Sequence, residues 1–243
     1  MSTSVSNRTS RSLIYGLNLL TLFTVEQPVR GITELAELMS VSAPTAHRYA
    51  ATCLELGYLE QAPMRRYRLA RRSAEPGTSM LDSLAITQPA RPLLRSLREQ
   101  TGRSVSQAVL DETNVLYLQR LRGFERGHYQ LEKGLGAGSR RAARRTAAGN
   151  ALLAALGESN LSSHHLGRES VAVDDGGLRR GARGLAVAVR ASGQKPCAIE
   201  ITLPLDAMSA AELAEQLYEP LLTAAAALRE TLAEAQAGLC PAG

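Results

Sequence analysis

The sequence predicts an α+β protein in two parts, and three observations predict it. Between Gly31 and Gly57 two short, capped helices stand around a tight turn. Between Tyr58 and Leu69 two strand-like runs flank a turn and lead into a cluster of arginines. From Ser104 onward the apolar residues change from helical spacing to alternation, as an antiparallel sheet requires. The first two features together predict an N-terminal winged helix-turn-helix over 10–75. The third predicts an antiparallel-sheet domain with flanking helices over 89–238, with a linker helix at 76–88 between them.

A Ser/Thr-rich stretch, 1–9, is expected to be a disordered tail. A first helix is expected from Arg8 to Phe23, where Leu13, Ile14, Leu17 and Leu20 make an apolar stripe. Thr33 is the expected N-cap of the next helix; Leu35 and Leu38 pack inward, and Glu34 and Glu37 sit near its positive end. That helix ends near Met39. Ser40-Val41-Ser42 is the turn, Ser42 caps the following helix, and Pro44 falls in a first turn where no hydrogen bond is lost. Ala46, Tyr49, Ala50, Cys53, Leu54 and Leu56 form its apolar positions, and Gly57 stops it by supplying a left-handed backbone. Tyr58–Gln61 and Arg66–Leu69 then pair as the wing around Ala62–Arg65.

Ser42, Ala43, Thr45, His47 and Arg48 remain on the outer side of the second helix start. Small, hydrogen-bonding or cationic side chains in that position can reach base edges or phosphates in a major groove. Arg65, Arg66, Arg68, Arg71 and Arg72 crowd the wing and suit a phosphate backbone. Residues 1–80 carry nine arginines against six acids, and the whole chain has a formal net charge of +5. The expected partner is therefore double-stranded DNA.

Pro76-Gly77 is read as a break after the wing. Helices follow over Thr78–Ile86 and Arg91–Gln100, around Pro89 and Pro92, and Gly102 closes the second. Val105, Gln107 and Val109 alternate, Asp-Glu-Thr-Asn turns, Val115–Leu118 returns, and His128–Glu132 is a third short strand. Thr146–Leu156 is small and apolar enough for a buried helix. Gly184–Arg190 and Cys197–Leu203 pair across Ala191–Gln194, which makes Cys197 a half-buried core thiol. Ser209 and Glu212 form a capping box for a last helix through Leu217, Leu221, Leu228 and Leu232; Pro220 bends it and Gly238 ends it.

Several function classes find no support. Leu13–Val25 is apolar but carries Asn18 and Thr21, and lacks the basic start and cleavage site of an export signal, so a cytoplasmic protein without a membrane span is expected. Three widely spaced cysteines make neither a disulfide framework nor a zinc pattern. His164-His165 and Asp174-Asp175 lack the spacing of a preformed metal site, and no Ser-His-Asp set or phosphate loop is present, so neither an enzyme nor a cofactor is expected.

The order of parts resembles the IclR family of bacterial transcription regulators. The resemblance rests on Thr33–Leu59, on Gly138-Ser139 through Thr146–Ala154, and on Val173-Asp174-Asp175 through Gly181–Val189. It implies a linker helix leading into a GAF-like effector-binding domain, and a homodimer or homotetramer reading a roughly palindromic operator. It also implies a small organic acid or similar metabolite as effector. The implied cavity residues are Ala147, Ala148 and Gly149 at the start of the pocket helix, Asp174 and Asp175, and Leu185 and Val187 on the late strand. Backbone N–H groups at a helix start suit a carboxylate. The chain departs from the family in a short Gly157–Val173 stretch, in Gly177, and in Arg141, Ala142, Arg144 and Arg145. The alternative is a C-terminal domain that serves only dimerisation or partner binding.

Overall fold

The computed structural model describes residues 9–124, 134–158, 171–176, 180–190 and 195–237. The chain divides into two compact units, Met1–Met80 and Leu81–Gly243.

In the first unit, α1 (Arg11–Thr21), α2 (Ile32–Met39) and α3 (Ala43–Glu55) precede a hairpin of β1 (Leu59–Ala62) and β2 (Arg66–Leu69). They enclose Leu19, Phe23, Leu35, Ala50, Cys53, Leu59 and Tyr67. Ser10 caps α1 by accepting from the Leu13 N–H at 3.4 Å, so the helix starts later than Arg8. Its buried line runs through Leu19, while Leu13 and Leu17 are 61% and 56% exposed. The leucines sit on more than one side of the helix, and packing selects Leu19 over the expected stripe. The expected cap Thr33 lies inside α2. Gly31 is the N-cap, and its N–H donates to the Glu34 carboxylate at 2.6 Å. Leu35 is buried but Leu38 is half in water, as is Leu56 just after α3, and Leu54 of α3 is also exposed. Ser40 takes the left-handed conformation at the turn, and Ser42 caps α3 with Pro44 in its first turn. Gly57, at φ 77°, turns the chain into the wing.

The wing is held to the helices by a two-way backbone bridge between Arg30 and Tyr67, at 3.0 and 2.8 Å. Leu59 pairs with Leu69 and Ala62 with Arg66. At its tip Met64 and Arg65 both adopt positive φ, 58° and 55°. Pro76-Gly77 does not break the chain. Both residues lie near the start of α4 (Glu75–Ser83), where proline has no hydrogen bond to lose.

The second unit is built on a six-stranded antiparallel sheet in the order β5-β4-β3-β8-β7-β6. Its strands are β3 (Ser104–Asp111), β4 (Asn114–Leu121), β5 (Arg140–Ala142), β6 (Ala172–Asp175), β7 (Ala182–Val189) and β8 (Cys197–Pro204). The expected strand His128–Glu132 and the turn Ala191–Gln194 fall outside the described residues. α5 (Thr87–Thr101) begins earlier than expected, takes both Pro89 and Pro92 into the helix, and ends at Gly102 with φ 68°. Its start is tied to the sheet by buried amides. Gln107 donates to Ile86 O and Gln119 donates to Thr87 O, each at 2.9 Å, and Gln119 also donates to Gln107 Oε1.

Helices cover both faces of this sheet. α5 and α8 (Glu219–Ala237) pack on one face over Leu185, Val187, Ile199 and Ile201. α6 (Ala147–Ala155) packs on the other over Tyr117, Ala186 and Ala198. β8 is accordingly buried at every position, as a strand covered on both sides must be. Cys197 is therefore fully rather than half buried. The Ser209–Glu212 capping box forms at α7 (Ala210–Leu213), with Ser209 N–H donating to Glu212 at 2.7 Å. The expected bend at Pro220 takes the form of a π turn over Ala214–Tyr218, with Glu219 between it and the proline. A wider turn accommodates the ring and the missing N–H.

Two outcomes follow from this packing. A Cβ on Gly149 would lie 2.0 Å from the Ala143 carbonyl oxygen, so Gly149→Ala should destabilise the protein by roughly 1–3 kcal/mol or more, read as a lower denaturant midpoint. Burial pushes the Cys197 thiol up to about 11. In a Cys53→Ala, Cys240→Ser background, where Cys197 is the one thiol left, a disulfide reagent at mildly alkaline pH should therefore label it only as fast as the protein opens, and immediate labelling of the native protein would contradict this burial.

Candidate functional site

The exposed start of α3 carries the residues expected to face DNA. Ser42 Oγ accepts from the Thr45 N–H at 3.4 Å and shares a 2.8 Å hydrogen bond with Thr45 Oγ1, so the two hydroxyls are fixed side by side. Ala43, His47 and Arg48 are exposed beside them. The Arg48 guanidinium lies 5.8 Å from the Tyr49 ring centroid. Tyr49 in turn stacks on Tyr15 of α1 at 5.6 Å, which fixes the rotation of α3 and directs its polar start outward.

The wing arginines separate into different environments. Arg65 is exposed at the tip. Arg68, exposed on β2, donates to Glu60 across the hairpin at 2.5 Å. Arg66 is half-buried and donates to Glu34 Oε2 at 2.7 Å and to Val29 O at 3.2 Å. Because the same Glu34 oxygen accepts from Gly31 N–H, one carboxylate joins the start of α2 to the base of the wing. Arg72, although exposed, also ties back to the helices, donating to Leu56 O at 2.9 Å with its guanidinium 5.3 Å from the centre of the Tyr58 ring. Five arginines that look alike in sequence thus include two that brace the wing. No local spacing signals the Glu34–Arg66 contact, which spans 32 positions.

In the second unit, the residues implied as an effector cavity lie on two faces of the sheet. Ala147, Ala148 and Gly149 are buried at the start of α6, where Thr146 Oγ1 accepts from Gly149 N–H at 2.9 Å. Asp174 pairs in register with Gly184, and a Cβ on Gly184 would meet Ala147 and Glu200 at 3.1 and 3.3 Å. Leu185 and Val187 belong to the core against α5 and α8, on the opposite face. Asp175 is held by the Arg183 guanidinium, which also donates to Met208 O at 3.0 Å. Asp174 and Asp175, adjacent on β6, therefore point to opposite faces of the sheet, and His164 and His165 lie outside the described residues.

The α6 face carries a polar row. Arg120, Ser106 and Glu200 are cross-strand neighbours on β4, β3 and β8, and Arg120 Nη1 donates to Ser106 Oγ at 2.7 Å and Thr202 Oγ1 at 3.3 Å. Glu200 is fully buried; its Oε1 accepts from the Ala148 N–H at 3.1 Å and its Oε2 from the Tyr117 hydroxyl at 2.9 Å. Burial pushes the Glu200 carboxyl above its ordinary value, opposed by the Ala148 N–H and by Arg120. Tyr117 is raised well above its own, by burial first and then by Glu200. The alternation of Ser104 with Ser106 and of Glu200 with Thr202 is the signal in sequence for this row. Of the arginines that depart from the family pattern, Arg144 pairs with Glu158, and Arg141 donates to Gly134 O at 2.8 Å.

A helix-turn-helix with a basic wing, joined to a sheet domain sandwiched by helices, is the build of a one-chain transcription regulator. Two models of one family match: the IclR helix-turn-helix domain over 12–63 and the bacterial transcriptional regulator IclR C-terminal domain over 78–169. The chain belongs to the IclR family. It is 29% identical over 154 residues to the HTH-type transcriptional regulator XynR of Escherichia coli K12, covering 63% of this chain and 60% of that protein. The chain thus spans no more than about 60% of the length of the curated relatives it matches. Among solved structures, the Brucella abortus IclR family regulator gives a TM-score of 0.73 at 19% identity, over 95% of each chain. An IclR homologue from Microbacterium hydrocarbonoxydans, in complex with 4-hydroxybenzoate, gives 0.71 at 22% identity, over 92% of this chain and 99% of the other. These two establish likeness of fold.

The shared carboxylate at the wing base predicts an asymmetry. Glu34→Ala strips both Arg66 and the Gly31 N–H of an acceptor and should cost about 1–2 kcal/mol. Arg66→Ala should cost less, because a half-exposed ion pair contributes about 0–1 kcal/mol. Chemical denaturation of both variants reads the difference.

Proposed function

We propose that this protein is a sequence-specific DNA-binding transcription regulator, cytoplasmic and homo-oligomeric, whose C-terminal domain responds to a small organic effector. The observation that carries the reading is the start of α3: Ser42, Ala43, Thr45, His47 and Arg48 lie together on an exposed helix start whose rotation is set by the Tyr15–Tyr49 stack. Arg65 and Arg68 on the wing extend that surface with exposed positive charge. Paired copies would read a roughly palindromic operator. Among the described residues no helix is long and apolar enough to cross a membrane, in keeping with a regulator that meets DNA in the cytoplasm. The effector reading draws support from the 4-hydroxybenzoate bound to the Microbacterium homologue. Such an effector would shift operator affinity only by as much as it prefers one arrangement of the oligomer over another.

Gel-shift titration on the protein's own operator tests the reading. Arg48→Ala should weaken operator binding by about 1–3 kcal/mol and relax preference at the base pairs it reads. Arg68→Ala should weaken binding to all sequences alike and lower the salt slope by about 0.9 per lost phosphate contact. Unchanged affinity and slope in both variants would refute the assignment of this surface.

A further inference from the structure

We propose that Glu200 is a built-in ligand: the carboxyl group at the start of α6 comes from strand β8, so this wall excludes the carboxylate of an external effector. Backbone N–H groups at a helix start, flanked by small residues, form an anion-binding site. Here that site is filled from within the chain. Both Glu200 oxygens are engaged, one by the Ala148 N–H and the other by the Tyr117 hydroxyl, and the side chain has no exposed surface. Diagonal to it on β7 is Gly184, whose missing side chain leaves Glu200 its room: a Cβ there would lie 3.3 Å from Oε1.

Charge points the same way. Arg120, the cation nearest this row, is bonded to Ser106 and Thr202 and has Glu200 as a cross-strand neighbour one strand further on. Arg120 lowers the Glu200 carboxyl more than Asp174, a second acid nearby, raises it, so Glu200 already serves as the anion beside this guanidinium. A metabolite carboxylate placed here would have to displace Glu200 from the Ala148 N–H and the Tyr117 hydroxyl. The effector class that this wall excludes is therefore a small organic acid bound head-first at the start of α6. This rests on the effector reading above for its biological meaning, but not for its test.

Glu200→Ala removes an acetate-sized group and leaves the Ala148 N–H and Tyr117 hydroxyl without an acceptor. Thermal melting of the full chain in sodium acetate, against sodium chloride at equal ionic strength, reads the consequence without DNA or effector. The expected result is that Glu200→Ala melts below the wild type in chloride and recovers by several degrees in acetate. Wild type and Glu200→Gln, whose amide still fills the space, should show no acetate-specific gain. Should Glu200→Ala be unfolded in chloride, acetate-dependent refolding is the expected result in the same assay. Acetate stabilising all three proteins alike, or doing nothing for Glu200→Ala, would overturn the proposal. Failure of the effector reading would appear elsewhere, as an operator affinity that no small molecule changes.

Discussion

The second unit depends on one constraint: β8 has no face turned to water. A strand covered on both sides must satisfy two different neighbours with alternate residues. Cys197, Ile199, Ile201 and Leu203 meet the aliphatic layer of α5 and α8. Ala198, Glu200 and Thr202 alternate with them and meet α6 and the polar row. The first set contributes packing in proportion to the apolar area it removes from water. The second set must instead match hydrogen-bond donors, because a buried group left unpaired costs more than a made bond returns. Gly149 and Gly184 belong to the same constraint: the first lets the Ala143 backbone approach where a methyl group would not fit, and the second leaves room for the Ala147 and Glu200 side chains.

The first unit solves a smaller problem with fewer parts. Its core is a handful of side chains, and the hairpin would splay without further ties. The Arg30–Tyr67 bridge and the Glu34–Arg66 contact supply them, leaving Arg65 and Arg68 on the outer surface. Arginines that tie the wing to the helices and arginines left on its outer surface are thus interleaved along a few residues.

What could be read in the sequence was what a few consecutive residues decide. Ser42 before Pro44, Gly57 after α3, Gly102 after α5 and the Ser209–Glu212 box are each settled within one helical turn, and all four are present. Helix rotation was less legible. α1 offers leucines on several sides, and whether Leu19 or Leu13 turns inward depends on what packs against it. β7 shows the same limit: alternation divides Gly184 and Ala186 from Leu185 and Val187, but when both faces are buried it does not say which faces α6. The Glu200–Ala148 contact joins residues 52 positions apart. A glutamate in an apolar strand is conspicuous, but its partner is named only by the fold.

The wing tip has a further implication for how the hairpin came to its present residues. A tight reversal through two left-handed positions is the conformation for which Asn-Gly is the favoured pair, and a residue with a full side chain there costs roughly 1–2 kcal/mol. Met64 and Arg65 occupy both positions, with Met64 88% exposed. Their side chains contribute little to the core that could offset this cost. The hairpin therefore carries this cost at its tip, where a thioether and a guanidinium stand in solvent.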